Sequence, residues 1–201
     1  MIPSREQCYR FMDAYRMRDN IRNHSIMVEK VASLIARGLR EEGFDVSLEK
    51  VCAGALMHDI AKTRCLETGE DHAALGARIC RENGLEEIAA IVGEHVVLRS
   101  FDPREGIRGG EIVYYADKRV NHDKIVSLDE RLEYLLRRYG RNNGTIQKRI
   151  RANIDLARRV EDKLFARLPF APEDVETLIK ERPGSREVDP FPWSAHPVSK
   201  G

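Results

Sequence analysis

Leu56-Met57-His58-Asp59-Ile60-Ala61-Lys62, residues 56–62, decides how the rest of the chain is read. A histidine and an aspartate follow one another at the end of an apolar helical run that Ser47 can cap and that Leu48, Val51, Cys52, Ala55 and Leu56 lead through. Burying two ionisable groups there is expensive unless they are paired or bound to a metal. Working outward, His24 precedes Met27, Val28 and Val31 by three, four and seven residues, and His72 stands in the same relation to Leu75, Gly76 and Ile79. His95 follows Ile91 and Val92 by four and three, and Asp117 lies between Val113 and Val120 at helical spacing. Residues three, four and seven apart share one helix face, so each of these groups points inward. Four of the chain's six histidines and two aspartates are therefore core-facing. Without a common partner they would carry several kcal/mol, roughly, of uncompensated polar burial. One metal-binding site assembled from five segments accounts for all of them, and imidazole with carboxylate suits iron, manganese, zinc or cobalt.

Helical periodicity dominates elsewhere, and no alternating strand pattern survives beyond four or five residues. Helices are expected over 4–18, 20–42 (stopped at Gly43), from Ser47 to the His-Asp pair, from an Asp71 cap to Asn83-Gly84, and over the following apolar run with Leu85, Ile88, Ile91 and Val92. Thr63 to Glu70 reads as a loop, as do residues 99–110 with their proline and glycines. Further helices are expected over about 110–121, from the Ser127/Glu130 capping box to Tyr139, over about 145–167, and briefly after Pro172. The fold class is all-α, with a single domain over 1–170 followed by a short helix and an extended, proline-containing tail over 171–201.

Composition narrows the function. The chain has 201 residues, 33% of them charged, and a formal net charge of +1, which offers no global attraction to nucleic acid or an acidic membrane. Its apolar stretches are too short to span a bilayer, and the N-terminus lacks the apolar core of a signal peptide. Cys8, Cys52, Cys65 and Cys80 are far apart in sequence, which disfavours a structural zinc site, and a reduced cytoplasmic protein is the expectation. Cys52 and Cys80 fall on apolar faces as small core residues.

The ordered set His24, His58-Asp59, Asp117, with the local words His-Asp-Ile-Ala-Lys at 58–62 and Ala-Asp-Lys-Arg at 116–119, resembles the HD superfamily of metal-dependent phosphohydrolases over roughly residues 20–125. The resemblance implies a helical bundle with additional helices C-terminal to it. The extra histidines give the order His, His-Asp, His, His, Asp, which is similar to the binuclear members. The stretch Asp71-His72-Ala73-Ala74-Leu75-Gly76-Ala77 is like that of the diadenosine tetraphosphate hydrolases. The Gly-Tyr-Pro element of the HD-GYP phosphodiesterases is absent, and Glu-His-Val-Val-Leu at 94–98 lacks threonines often found after this histidine. By this resemblance one divalent ion takes His24, His58, Asp59 and Asp117, and a second takes His72 and His95 with Asp59 bridging. The ions would be iron, manganese, zinc, cobalt or magnesium.

The implied activity is hydrolysis of a nucleotide, or another small phosphate ester or anhydride, by a metal-activated water. Asp59 is the catalytic hub, and Lys62 is a catalytic and substrate-binding candidate with the reach to hold a phosphate oxygen. Arg99, Arg104 and Arg108 are further substrate-binding candidates. Two alternatives stay open: an HD-type di-iron oxygenase, and a non-catalytic nucleotide-binding module. Arg119, two residues past Asp117, is expected to face outward, with Lys118 undecided; His122-Asp123 is read as surface. The 145–167 helix carries an apolar stripe for packing on the bundle or for a homodimer contact, and nucleic-acid binding on its basic outer face is a minor alternative.

Overall fold

The computed structural model describes residues 1–141 and 143–181. The proline-containing tail from Pro183, with His196, and Asn142 of the Asn-Asn-Gly break lie outside them. Among the described residues ten α-helices follow in order: α1 (Arg5–Ala14), α2 (Asp19–Glu41), α3 (Leu48–Met57), α4 (Lys62–Thr68), α5 (His72–Glu82), α6 (Glu86–Glu94), α7 (Gly109–Lys118), α8 (Leu128–Tyr139), α9 (Gly144–Phe165) and α10 (Val175–Glu181). A small antiparallel hairpin of β1 (Val120–Asn121) and β2 (Lys124–Ile125) separates α7 from α8. The all-α bundle expected from periodicity is what the chain forms, and no described helix is long and apolar enough to cross a membrane.

Local chemistry sets most boundaries. The Ser47 hydroxyl accepts from Lys50 N, Asp71 accepts from the backbone of Ala73 and Ala74, and Ser127 and Glu130 cap each other's backbone. Gly43 takes a left-handed φ of 85° where α2 stops. Three expectations need correction. Thr63 to Glu70 is largely helical, as α4, because the Asp59 and Ala61 carbonyls receive the amides of Lys62 and Cys65; only Cys65 of its side chains is buried, so there was no apolar stripe to read. The first helix ends at Ala14 rather than 18, since Arg16 adopts φ 50° and the Arg18 amide turns to Thr63 Oγ1. The helix bearing Asp117 ends at Lys118, where the hairpin begins.

Two apolar clusters build the core. Val28, Ile35, Leu39, Val113, Tyr115, Ile154 and Leu164 belong to the first, and Met12, Ile21, Leu56, Ile60, Ile79 and Ile88 to the second. Helix α3 contributes to both, Val51 and Ala55 to one and Leu56 and Met57 to the other, so every residue from Val51 to Met57 is buried. Each such Leu, Ile or Met stabilises the fold by about 1.5–3 kcal/mol, which offsets the desolvation of His58 and Asp59. That pair leaves the end of α3 at the seam between the clusters. Glycines permit the helices to close around it: a Cβ on Gly54 would lie 2.6 Å from Ile91 Cγ2, and one on Gly76 2.9 Å from Val92 Cγ1. In the apolar stripe of α9, Ile154, Ala157, Val160 and Leu164 are fully buried, while Ile146 near its start is exposed.

Candidate metal centre

Five of the six predicted ligands sit at a helix end or in its first turns, and Asp59 follows His58 in the turn between α3 and α4. His24 belongs to the N-terminal part of α2 and His72 opens α5; His58 and His95 cap the C-termini of α3 and α6; Asp117 is near the end of α7. Five segments therefore converge, as the spacing predicted, and the rings form a row. His24, His58, His95 and His72 follow one another with centroids 5.3, 4.9 and 5.1 Å apart.

The backbone aims three of these rings. Nδ1 of His24, His58 and His95 lies 2.8, 2.7 and 2.6 Å from the carbonyls of His122, Ala55 and Val92. A carbonyl can only accept, so each Nδ1 carries the hydrogen, and it is Nε2 that faces inward and, in the neutral ring, offers a lone pair there. His24 Nε2 stands 3.0 Å from Asp117 Oδ1, and His58 Nε2 is 3.4 Å from Asp59 Oδ2. Asp59 Oδ1 faces His72 Nε2 at 3.4 Å and His95 Nε2 at 3.5 Å, and those two nitrogens approach each other to 3.2 Å. Two sets of ligand atoms result, His24/His58/Asp59 and Asp59/His72/His95, each lying within 4.8 Å of one another.

Whether these residues suit a cation is decided by two atoms. His58 Nε2 and Asp59 Oδ1 are buried, and neither has a hydrogen-bond partner. An acceptor left unsatisfied in the core costs about 1–3 kcal/mol, and converging imidazole and carboxylate lone pairs are the donor set of a first-row divalent ion. The clusters can hold such a metal, and the fit is good.

Charge balance follows the same geometry. Burial alone would raise the Asp59 and Asp117 carboxyls, but His58, His95 and Lys62 hold the first well below the ordinary range and Lys118 and His24 hold the second there. Burial would likewise depress His58, yet Asp59 and Asp117 raise it. His72 is pushed down to about 4 chiefly by burial, and His95 is lowered for the same reason.

Among the remaining candidates, Lys62 is at the site, its Nζ 2.7 Å from Asp59 Oδ2. The three arginines of the 99–110 segment have partners of their own. Arg104, 88% exposed, folds onto Asp102, and Arg99 lies 3.9 Å from Glu94. Arg108 bonds the Ser100 carbonyl and lines a cavity of about 250 Å³ with Ser47, Lys50 and Glu94. The segment itself is anchored by Lys163 of α9, whose buried ammonium donates to Glu111 and to the carbonyls of Asp102 and Gly106.

Arg119 corrects its expectation. It is buried, bonded to Tyr115, Glu161 and the Val126 and Pro172 carbonyls, and it ties the hairpin to α7 and α9. Lys118 is also buried, donating to Asp117 Oδ2 at 2.9 Å and to the His95 carbonyl at 2.7 Å. Its only signal in the sequence was adjacency to Asp117. His122 is exposed, as expected, but its backbone carbonyl orients His24.

An all-α bundle closing on a buried His/Asp cluster defines a class of metal-binding helical domains. The HD domain family model matches residues 21–122, and the chain belongs to that family. It is 28% identical over 151 residues to an uncharacterized protein of Methanocaldococcus jannaschii, covering 69% of this chain and 88% of that protein. It is also similar to a tRNA (cytidine(56)-2'-O)-methyltransferase of Thermoplasma volcanium, 34% identical over 97 residues, 48% of this chain and 27% of the enzyme. A 77-residue stretch is 40% identical to ribonuclease Y of Thermosipho melanesiensis, 38% of this chain and 14% of that protein. The chain thus spans only a small part of the named enzymes it resembles. A crystal structure of a predicted HD superfamily hydrolase from an uncultured Thermotogales bacterium superposes with a TM-score of 0.47 at 20% identity, over 82% of this chain and 92% of that one.

Proposed function

We propose that this chain is a metal-dependent phosphohydrolase acting on a nucleotide or another small phosphate ester or anhydride. The observation that carries the reading is the sharing of Asp59 between two ligand sets, with His58 Nε2 and Asp59 Oδ1 buried and unpartnered. His24, His58, Asp59 and Asp117 would hold one divalent ion, and His72, His95 and Asp59 a second. Such a pair of ions supplies Lewis acidity and lowers the pKa of a water for attack at phosphorus. The chain's own residues do the rest. Asp59 is kept ionised and links both halves; backbone carbonyls fix the imidazole tautomers; Lys62, half-exposed beside Asp59, offers its ammonium to a phosphate oxygen. Similarity to a protein named ribonuclease Y supports phosphate-ester chemistry for this domain.

The test is metal analysis of protein purified without chelator, followed by an anaerobic phosphate-release screen over nucleotides, dinucleoside polyphosphates and an oligoribonucleotide. Release of phosphate or nucleotide that depends on the bound metal is expected. Oxygen uptake with a mixed-valence EPR signal and no phosphate release would overturn the reading in favour of an oxygenase.

A further inference from the structure

Resting on that reading, we infer that Arg131 of α8 is a phosphate-binding residue of the site, contributed by a helix beyond the region that the family model matches. Its place is fixed from three directions. Nη1 donates to Asn121 Oδ1 at 3.0 Å, and Asn121 adjoins His122, whose carbonyl orients the His24 ring. The guanidinium stacks over Tyr134 at 5.8 Å, and Tyr134 in turn meets the His122 ring edge-on at 5.5 Å. The Arg131 guanidinium also lies within electrostatic range of Lys62 and Lys118, which sit beside the two carboxylates of the cluster.

The chemistry of that position asks for an anion. Among the described residues no carboxylate pairs with Arg131, although the side chain is half-buried and its Nε is buried without a hydrogen-bond partner. Its partners, an amide oxygen and a tyrosine ring, carry no charge. Lys62 and Lys118 already pair with Asp59 and Asp117, so Arg131 is the uncompensated cation of the group. Divalent ions bound by the same carboxylates make the imbalance larger. A multiply charged phosphate resolves it, and the planar fork of a guanidinium is the group that grips two phosphate oxygens at once. Arg99, Arg104 and Arg108, by contrast, each face a carboxylate of their own surroundings.

The experiment uses manganese-loaded full-length protein and two probes, inorganic phosphate for binding and p-nitrophenyl phosphate for turnover. Arg131→Gln should weaken phosphate binding about tenfold or more and raise KM by a similar factor, at unchanged manganese content and Tm. Arg131→Lys should recover part of the affinity. In wild-type protein the Arg131 Nε–H resonance, assigned by its loss in Arg131→Lys, should shift on phosphate addition, which tests the inference even if Arg131→Gln does not fold. Wild-type phosphate binding with no loss in Arg131→Gln, or with a stationary Nε–H signal, would overturn this inference alone. A wild-type protein that neither binds phosphate nor turns over any ester would overturn the phosphohydrolase reading and this inference with it.

Discussion

Lys118 Nζ stands 2.9 Å from Asp117 Oδ2, leaving the other carboxylate oxygen, Oδ1, to face His24 Nε2 at 3.0 Å. The same ammonium donates to the His95 carbonyl, so one buried side chain braces the end of α7 against the end of α6. Groups that orient metal ligands typically change affinity about 10–100-fold when removed. Lys118→Met, similar in length but uncharged, should weaken metal binding by that order in a chelator competition. It should also destabilise the metal-free protein by about 3–5 kcal/mol, because Asp117 stays buried without its cation. Unchanged metal affinity would show that Lys118 only fills space.

Asp59 and His72 should separate by metal count. Asp59 belongs to both ligand sets, whereas His72 belongs to one. Elemental analysis of Asp59→Ala should find the bound metal lost along with activity, while His72→Ala should lose mainly one ion of a pair. Full metal content and turnover in His72→Ala would refute a binuclear site.

The candidate ligands were legible because a histidine or aspartate on an apolar helix face is conspicuous, and because His58-Asp59 ends a helix, α3, whose residues from Val51 are all buried. The cations were not. Arg119 reads as outward-facing, Lys118 stays undecided and no pattern singles out Arg131; only tertiary structure shows Lys118 and Arg119 inside and Arg131 half-covered. Helix α4 escaped because one buried cysteine makes no periodic pattern. The hairpin escaped because two-residue strands are too short to alternate, yet it is the hairpin that delivers the His122 carbonyl to His24.

Acid should destabilise the metal-free protein in a window that His72 defines. Burial, reinforced by the positive charge of His95, Lys62 and His58 against the pull of Asp59, lowers its pKa from 6.5 to about 4. Between those values the unfolded chain takes up a proton that the folded one refuses, so stability falls as pH falls, by on the order of 3 kcal/mol at most. His95 is lowered too and acts in the same direction. His58 is raised, so its contribution is complete below 6.5 and is lost only as pH rises above that value. Asp59 and Asp117, both lowered, give up theirs below the ordinary carboxylate range. Denaturation of chelated protein at pH 7 and pH 4.5 should therefore show a slope that His72→Gln flattens. Parallel losses in both proteins would contradict the assignment.

Helix spacing should tune the half of the site that His72 and His95 form. Gly76 lies one turn after His72 on α5 and faces Val92 of α6, three residues before His95; an added Cβ would come 2.9 Å from Val92 Cγ1. The contact is with a branched core side chain that is fully buried, so the helices rather than a flexible tip must give way. Gly76→Ala should therefore cost about 1–3 kcal/mol as overpacking. It should also pull His72 Nε2 away from His95 Nε2, now 3.2 Å apart, and weaken metal binding there. Val92→Ala alone leaves a void and is destabilising in its own right. Combined with Gly76→Ala it provides the missing room, so the two changes should be less harmful together than their sum, in both unfolding free energy and metal affinity. Simple additivity in that cycle would mean that the approach of α5 to α6 does not set the ligand spacing.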